Sequence, residues 1–190
     1  GNVDILMSSV KLRNLVLKYY NSPLAYFTSP TTVVERIIDY GKKCQAAHLE
    51  IETGDLLQNY KKACETYKAR LEEIEDENFA KSQTEKNLFY ENDKFTIVIP
   101  LTRAECIDEG TKLNNCLGNY EWNNWLRNGY RKVVFIRRKN APNTSYIACD
   151  MDNNFDIRQF LTHNNDYVRD EEANRFRVEY QNYLRTLVNN

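Results

Sequence analysis

Apolar residues in the first half of the chain recur at helical spacing. Ile5, Leu6, Val10, Leu12, Leu15, Val16 and Tyr19 fall on one stripe, which predicts a helix over residues 4–20. Asn21-Ser22-Pro23 ends it, because proline has no amide hydrogen with which to continue the ladder. Pro30, with Thr31 and Thr32, opens a second helix; its apolar positions are Val33, Val34, Ile37 and Ile38, and Gly41 is its expected C-terminal cap. A third helix begins near Thr53-Gly54-Asp55, where Asp55 and Gln58 have the spacing of a capping box. Leu56, Leu57, Tyr60, Cys64, Tyr67 and Leu71 carry its stripe into an acidic run of Glu72, Glu73, Glu75, Asp76 and Glu77. Residues 78–93 show no clear period and read as a link between two parts.

The second half changes period. Residues 95–99 read as a strand ended by Pro100, and Thr102 with Glu105 makes a capping-box start for a helix over residues 103–113. Gly110 inside that helix lowers its propensity and points to close packing or an early end. Trp122, Trp125 and Leu126 predict a short helix closed by Gly129. Strands follow at 132–138, 146–151 and 155–161, separated by the turns Ala141-Pro142-Asn143 and Asp152-Asn153-Asn154. Such short connections pair neighbours antiparallel, as a meander. Asp166 is the expected cap of a last helix over residues 168–188, with Phe176, Tyr180, Tyr183, Leu184 and Leu187 as its buried stripe. The fold class is therefore α+β: a helical part over residues 1–90, then a small antiparallel sheet with packed helices over 91–190.

Composition narrows the function classes. The 190 residues carry 26 Lys and Arg against 27 Asp and Glu, a net charge of −1, so nucleic-acid binding requires a local patch rather than a basic surface. No apolar run is long enough to span a bilayer, and no secretory leader pattern opens the sequence, so a cytoplasmic setting without membrane contact is expected. The 5 cysteines form no C-x-x-C pair and only 2 histidines could assist them, so neither a metal site nor any other cofactor is expected and the thiols read as reduced and mostly buried.

Candidate chemistry falls in the second half. Arg127, Arg131, Lys132, Arg137, Arg138 and Lys139 lie in a stretch, 122–149, that holds no acidic residue. With Trp122, Trp125 and Tyr130 beside them, they have the make-up of a single-stranded nucleic-acid surface, in which cations meet phosphates and rings stack on bases. A soluble strand with a charged turn is the plainer reading. Alternation puts Arg137 on one strand face with Val133 and Phe135, and Lys132, Val134, Ile136 and Arg138 on the other. Upstream, the segment Glu109-Gly110-Thr111-Lys112-Leu113-Asn114-Asn115-Cys116-Leu117-Gly118-Asn119-Tyr120 combines residues that tolerate left-handed backbone, and so predicts a sharp turn. Cys116 is either a buried thiol or a nucleophile, the latter only with a cation such as Arg137 to stabilise its thiolate. Downstream, Gln159 and Leu161 share one face of the last strand, Arg158 and Phe160 the other, and His163 at its end is either a turn residue or a general base.

The order of these features resembles the PcfJ-like proteins of conjugative plasmids and phages. The matching residues are the aliphatic strand 97–100 ending in proline, then Glu109, Gly110, Leu113, Cys116, Gly118 and Tyr120, then Arg137 after an aliphatic run, Asp150, and Gln159 with Asn165 six positions on. Two positions depart from the family pattern: Asn115 stands where histidine is usual, and Ala148 where threonine is usual. An amide does not titrate, so any proton transfer by that histidine is lost here, whereas a hydrogen-bonding role could be kept.

The resemblance implies a mobile-element setting. The leading expectation is a binding protein that acts on nucleic acid or on a nucleic-acid enzyme of the host, in the manner of an anti-CRISPR inhibitor; its partner would be a host defence nuclease or its guide RNA. The acidic run 72–77 could then enter a cationic channel. The alternative is a metal-independent RNA-processing enzyme in which Arg137, Gln159, Asn165 and His163 surround a scissile phosphate, with His163 or Asp150 as base. A structural accessory protein of conjugation is the third reading.

Overall fold

A computed structural model of the chain describes residues 2–20, 22, 29–118, 124–126 and 128–188. The chain forms two compact units, Gly1–Glu73 and Ile74–Asn190.

The N-terminal unit is helical: α1 (Asn2–Ser8), α2 (Val10–Tyr19), α3 (Pro30–Ala46) and the first part of α4 (Leu56–Thr84). The single helix expected over 4–20 is broken in two. Ser9 adopts an extended conformation and its hydroxyl accepts the Leu12 amide, which restarts the ladder as an N-cap. Ser29 caps α3 in the same way, with Pro30 in the first turn. Gly41 does not end α3 but lies inside it. A Cβ there would come 2.5 Å from Leu12 Cδ1, so the missing side chain makes room for the Leu12 side chain of α2. Leu12, Leu15, Val33, Ile37, Tyr40, Cys44, Leu56 and Ala63 form the buried core of this unit. Asp55 caps α4, its Oδ1 accepting the amides of Leu57 and Gln58.

The second unit holds one sheet of 4 antiparallel strands in the order β1-β2-β3-β4: β1 (Phe95–Val98), β2 (Lys132–Arg138), β3 (Ile147–Met151) and β4 (Ile157–Leu161). This is the meander expected from the short turns. Helix α5 (Arg103–Leu113) follows β1, opened by the reciprocal capping box of Thr102 and Glu105, and helix α6 (Glu171–Val188) ends the described chain. The cap of α6 is Asp170 rather than Asp166: its Oδ1 accepts the amides of Glu172 and Ala173. Asp166 instead closes the turn after β4 through its backbone carbonyl, which accepts the Thr162 amide. The stretch 78–93 is not a link. Helix α4 continues to Thr84, and its end is held because Phe79, Gln83 and then Leu88 are buried among sheet residues. Gln83 serves the start of β2, which β1 does not reach: its side chain donates to the Val133 carbonyl and accepts the Val133 amide at 3.2 Å.

Period-2 alternation divides the sheet into two buried faces. On one, Val134, Ile136, Ile147, Cys149, Met151 and Phe160 pack with Phe176, Tyr180 and Leu184 of α6. On the other, Val133, Phe135 and Ala148 pack with Phe79, Cys106, Leu117 and Leu126. Among the described residues, no helix is long and apolar enough to cross a membrane.

Candidate functional site

The second face of the sheet carries the polar residues singled out from sequence. The register pairs Val133 with Asp150 and Phe135 with Ala148, then Asp150 with Gln159 and Ala148 with Leu161. Side chains of paired residues point to the same side, so Arg137, Asp150 and Gln159 share this face although far apart in sequence. Helix α5 ends above it. Asn114 closes the helix in the left-handed region, with φ 47° and ψ 54°, and the chain then turns through a short 3-10 segment, Cys116–Gly118. That return is tight: a Cβ on Gly110 would lie 2.5 Å from the Gly118 nitrogen, so glycine is required there. A second left-handed turn follows β4, where Asn164 and Asn165 have φ 58° and 59°. The two turns are joined by a hydrogen bond from Asn114 Nδ2 to Asn164 Oδ1 at 2.6 Å.

Where the turns meet over the sheet there is a cleft. Asn115, Cys116 and Leu117 line it from the first turn, Ala148 and Asp150 from β3, Gln159 and Leu161 from β4, and Asn165 from the second turn. Its enclosed volume is about 10 Å3, room for about one water. Cys116 Sγ contacts Asn165 Oδ1 at 3.7 Å, and Asn115 Oδ1 accepts the Leu117 amide at 3.0 Å. Asp150 is only 2% exposed; its Oδ2 accepts from Arg131 Nη1, and its Oδ1 has no hydrogen-bond partner. Burial raises the Asp150 pKa, against the lowering effects of Arg131 and of the Gln159 backbone amide.

Beside the cleft, Arg137 is fully engaged. It makes a two-pronged pair with Glu109, Nη1 to Oε1 at 2.7 Å and Nη2 to Oε2, and Ser145 donates to the same carboxylate at 2.9 Å. Both partners are buried, so this pair ties α5 to β2 and sets the position of the turn that follows α5. The pairing corrects one expectation: the guanidinium serves Glu109, not a Cys116 thiolate.

The basic stretch also looks different in three dimensions. Arg131 pairs with Asp150, Arg138 with Asp170 and Lys139 with Glu91. Lys132 is buried; its ammonium donates to Ser82 and stands 3.6 Å from Glu85, and burial lowers its pKa. Carboxylates distant in sequence therefore stand beside each described cation of this stretch. Arg127, Tyr120 and Trp122 lie outside the described residues. His163 begins the second turn, exposed and not among the residues lining the cleft.

The family profile described as PcfJ-like protein matches residues 32–176, a span that contains these positions. The chain belongs to the PcfJ-like protein family. No curated protein and no solved structure matches it. The PcfJ-like pattern thus acquires a spatial meaning here: Asn115, Cys116, Asp150, Gln159 and Asn165 meet at one cleft, whereas Glu109, Gly110 and Arg137 build the support behind it. Leu117 and Leu161, which complete the lining, carried no signal in the sequence beyond their apolar character.

All the cysteines are free. Cys44, Cys106 and Cys149 are buried, and burial pushes the Cys106 thiol up to about 12. Cys116 differs from these in being half-exposed and facing the cleft.

Proposed function

We propose that this PcfJ-like chain serves a phage or plasmid as a binding protein that engages nucleic acid or a nucleic-acid enzyme of the host, as an inhibitor of a defence nuclease would. The observation that carries this reading is the lining of the cleft. Asn115, Gln159 and Asn165 supply amides, which bind by hydrogen bonds and do not exchange protons. Asn115 occupies the position at which the family pattern usually has a titrating histidine, and Arg137, the candidate for stabilising charge on a phosphate, is held by Glu109. Binding without turnover asks for a surface of this kind.

The acidic run of α4 offers a further contact. Glu72 and Glu77 are exposed, while Glu73 pairs with Arg70 at 2.8 Å and Asp76 accepts the Arg103 amide at 2.9 Å. Glu72 and Glu77 are therefore the members that can meet a cationic channel without loss of a structural bond.

The test is a gel assay of the chain with a guide-loaded defence nuclease, with structured RNA, and with each alone. A shifted nuclease with intact RNA is expected, weakened by Glu72→Lys with Glu77→Lys. RNA cleavage by the chain would overturn the binding reading.

One observation favours a second reading, a metal-independent ribonuclease. Asp150 is a buried carboxyl of raised pKa in a cleft, the kind of group that serves as a general base. Cleavage that disappears in Asp150→Asn would establish that alternative.

A further inference from the structure

Several groups that the fold leaves without an internal partner lie along the outer edge of β4. On the side away from β3, Leu161 of β4 forms an antiparallel bridge with Tyr167. Paired residues point to the same side of a sheet, and Leu161 lines the cleft, so Tyr167 stands on the cleft side, one strand further out. Val168, the next residue, packs against the apolar cluster under α6. Alternation about Val168 returns Arg169 to the side of Tyr167.

Tyr167 is 83% exposed, more than any other large apolar side chain among the described residues. Arg169 is exposed as well and forms no ion pair among the described residues, whereas each described cation of 131–139 stands beside a carboxylate. Two amides of the cleft rim adjoin this edge. Gln159, exposed on the same face of β4, has no side-chain hydrogen bond among the described residues. Asn165 keeps its Nδ2, because its Oδ1 is taken by the Cys116 thiol.

The make-up of the edge selects its partner. A protein interface surrounds its aromatic anchor with packed surface that excludes water. The residues that lead into Tyr167, His163 to Asp166, are all exposed and polar, so the ring has no apolar margin there. One ring is enough for a nucleobase, whose face stacks on it whatever the base. The flanking groups suit the rest of a nucleotide: a guanidinium for a phosphate, and amides for the polar edge of a base. A base must be unpaired and splayed out to reach such a ring.

We infer that the outer edge of β4 binds single-stranded nucleic acid, with Tyr167 as the stacking ring and Arg169 as the phosphate contact. This rests on the binding reading above and deepens its nucleic-acid arm.

The test is fluorescence anisotropy of labelled single-stranded RNA and DNA of one mixed sequence, each also annealed to its complement, titrated with the whole chain. Either single strand is expected to bind about tenfold more tightly than its duplex, and the strand that does so names the source. Tyr167→Ala should weaken that binding about tenfold, the scale of one stacked base, and Tyr167→Phe should not. One phosphate contact should give a slope of log affinity against log salt of about −0.7, which Arg169→Ala flattens. Both residues are exposed, so the circular dichroism of each variant should match the parent. Equal binding of strand and duplex overturns the inference, as does parental affinity in Tyr167→Ala. No strand binding, with the nuclease shift of the gel assay intact, overturns the inference and leaves the binding reading standing; a shift that Tyr167→Ala then abolishes would assign the edge to the protein. Loss of both strand binding and shift overturns the two together.

Discussion

On the α6 side of the sheet, the strands present Val134, Ile136, Ile147, Cys149, Met151 and Phe160 to Phe176, Tyr180 and Leu184, and the contact is apolar almost throughout. One polar contact is buried within it, where the Tyr180 hydroxyl donates to the Leu88 carbonyl at 2.9 Å. On the α5 side, the same strands present Val133, Phe135 and Ala148 beside Arg137, Asp150 and Gln159. There the apolar cluster covers only part of the face, and the remainder is an ion pair, a half-satisfied carboxylate and two left-handed asparagine turns. The first face gains stability from area removed from water, a force without direction. The second depends on particular partners, and each buried charge on it is costly unless its partner is present. A face of the first kind holds the fold; a face of the second kind can hold a ligand.

Four substitutions would sharpen or break that contrast, from the largest expected effect to the smallest. Phe176→Ala on the apolar face should cost about 3–5 kcal/mol in urea unfolding, the usual range for emptying a buried aromatic site. Wild-type stability would show that α6 is not the main cover of the sheet. Glu109→Ala on the polar face should cost about 3–5 kcal/mol by leaving Arg137 buried and unpaired, whereas a double change of Glu109 and Arg137 to apolar residues of similar volume should recover much of it. A double variant as unstable as the single would mean that the pair contributes more than its own burial explains. Gly110→Ala should cost about 1–3 kcal/mol, because the added Cβ forces the Gly118 backbone away, and the cleft should open with it. Asp170→Ala should cost about 1 kcal/mol through the lost α6 cap and leave cleft binding unchanged.

Acid–base behaviour gives a further separation. Burial raises the Asp150 pKa in the folded chain, so the folded state holds that proton more tightly than the unfolded state. The Asp150 contribution to stability is therefore greatest below the ordinary carboxylate pKa, about 4, and falls as pH rises through the raised value. Asp170 has the opposite sign: the Tyr146 hydroxyl first, and then the α6 amides and Arg138, lower its pKa, so its contribution is lost as pH falls. Asp150→Asn should gain on the parent protein as pH rises above about 4, and Asp170→Asn, less stable than the parent at neutral pH, should lose that deficit as pH falls. Unfolding curves at several pH values decide this, and parallel profiles for Asp150→Asn would count against its burial as the cause.

Much of the fold was legible because it is local. The Thr102–Glu105 capping box marks the start of α5 to the residue, and the alternation along 132–138 assigns each side chain of β2 to its face. The short turns dictate the antiparallel order. Misreadings fell where a residue answers a distant neighbour: Gly41 looks like a helix end until Leu12 of α2 is laid against it, and residues 78–93 lack a period because Phe79 and Leu88 are buried in separate clusters. At the candidate site the sequence named Asn115, Cys116, Asp150, Gln159 and Asn165 but not their meeting point.

Charge shows most clearly what sequence order conceals. Read along the chain, residues 131–139 are a basic strip without an acid nearby; folded, Asp150, Glu109, Asp170 and Glu91 arrive from other parts of the chain to pair with its arginines and with Lys139. By itself the sequence determined the elements, their caps, the two faces of each strand and the family, since these rest on spacing within one segment. Only the tertiary structure decided which charges are cancelled, which carboxylate oxygen is left free and where the amides converge, because Coulomb and hydrogen-bond partners are chosen by distance in space, to which position along the chain is no guide.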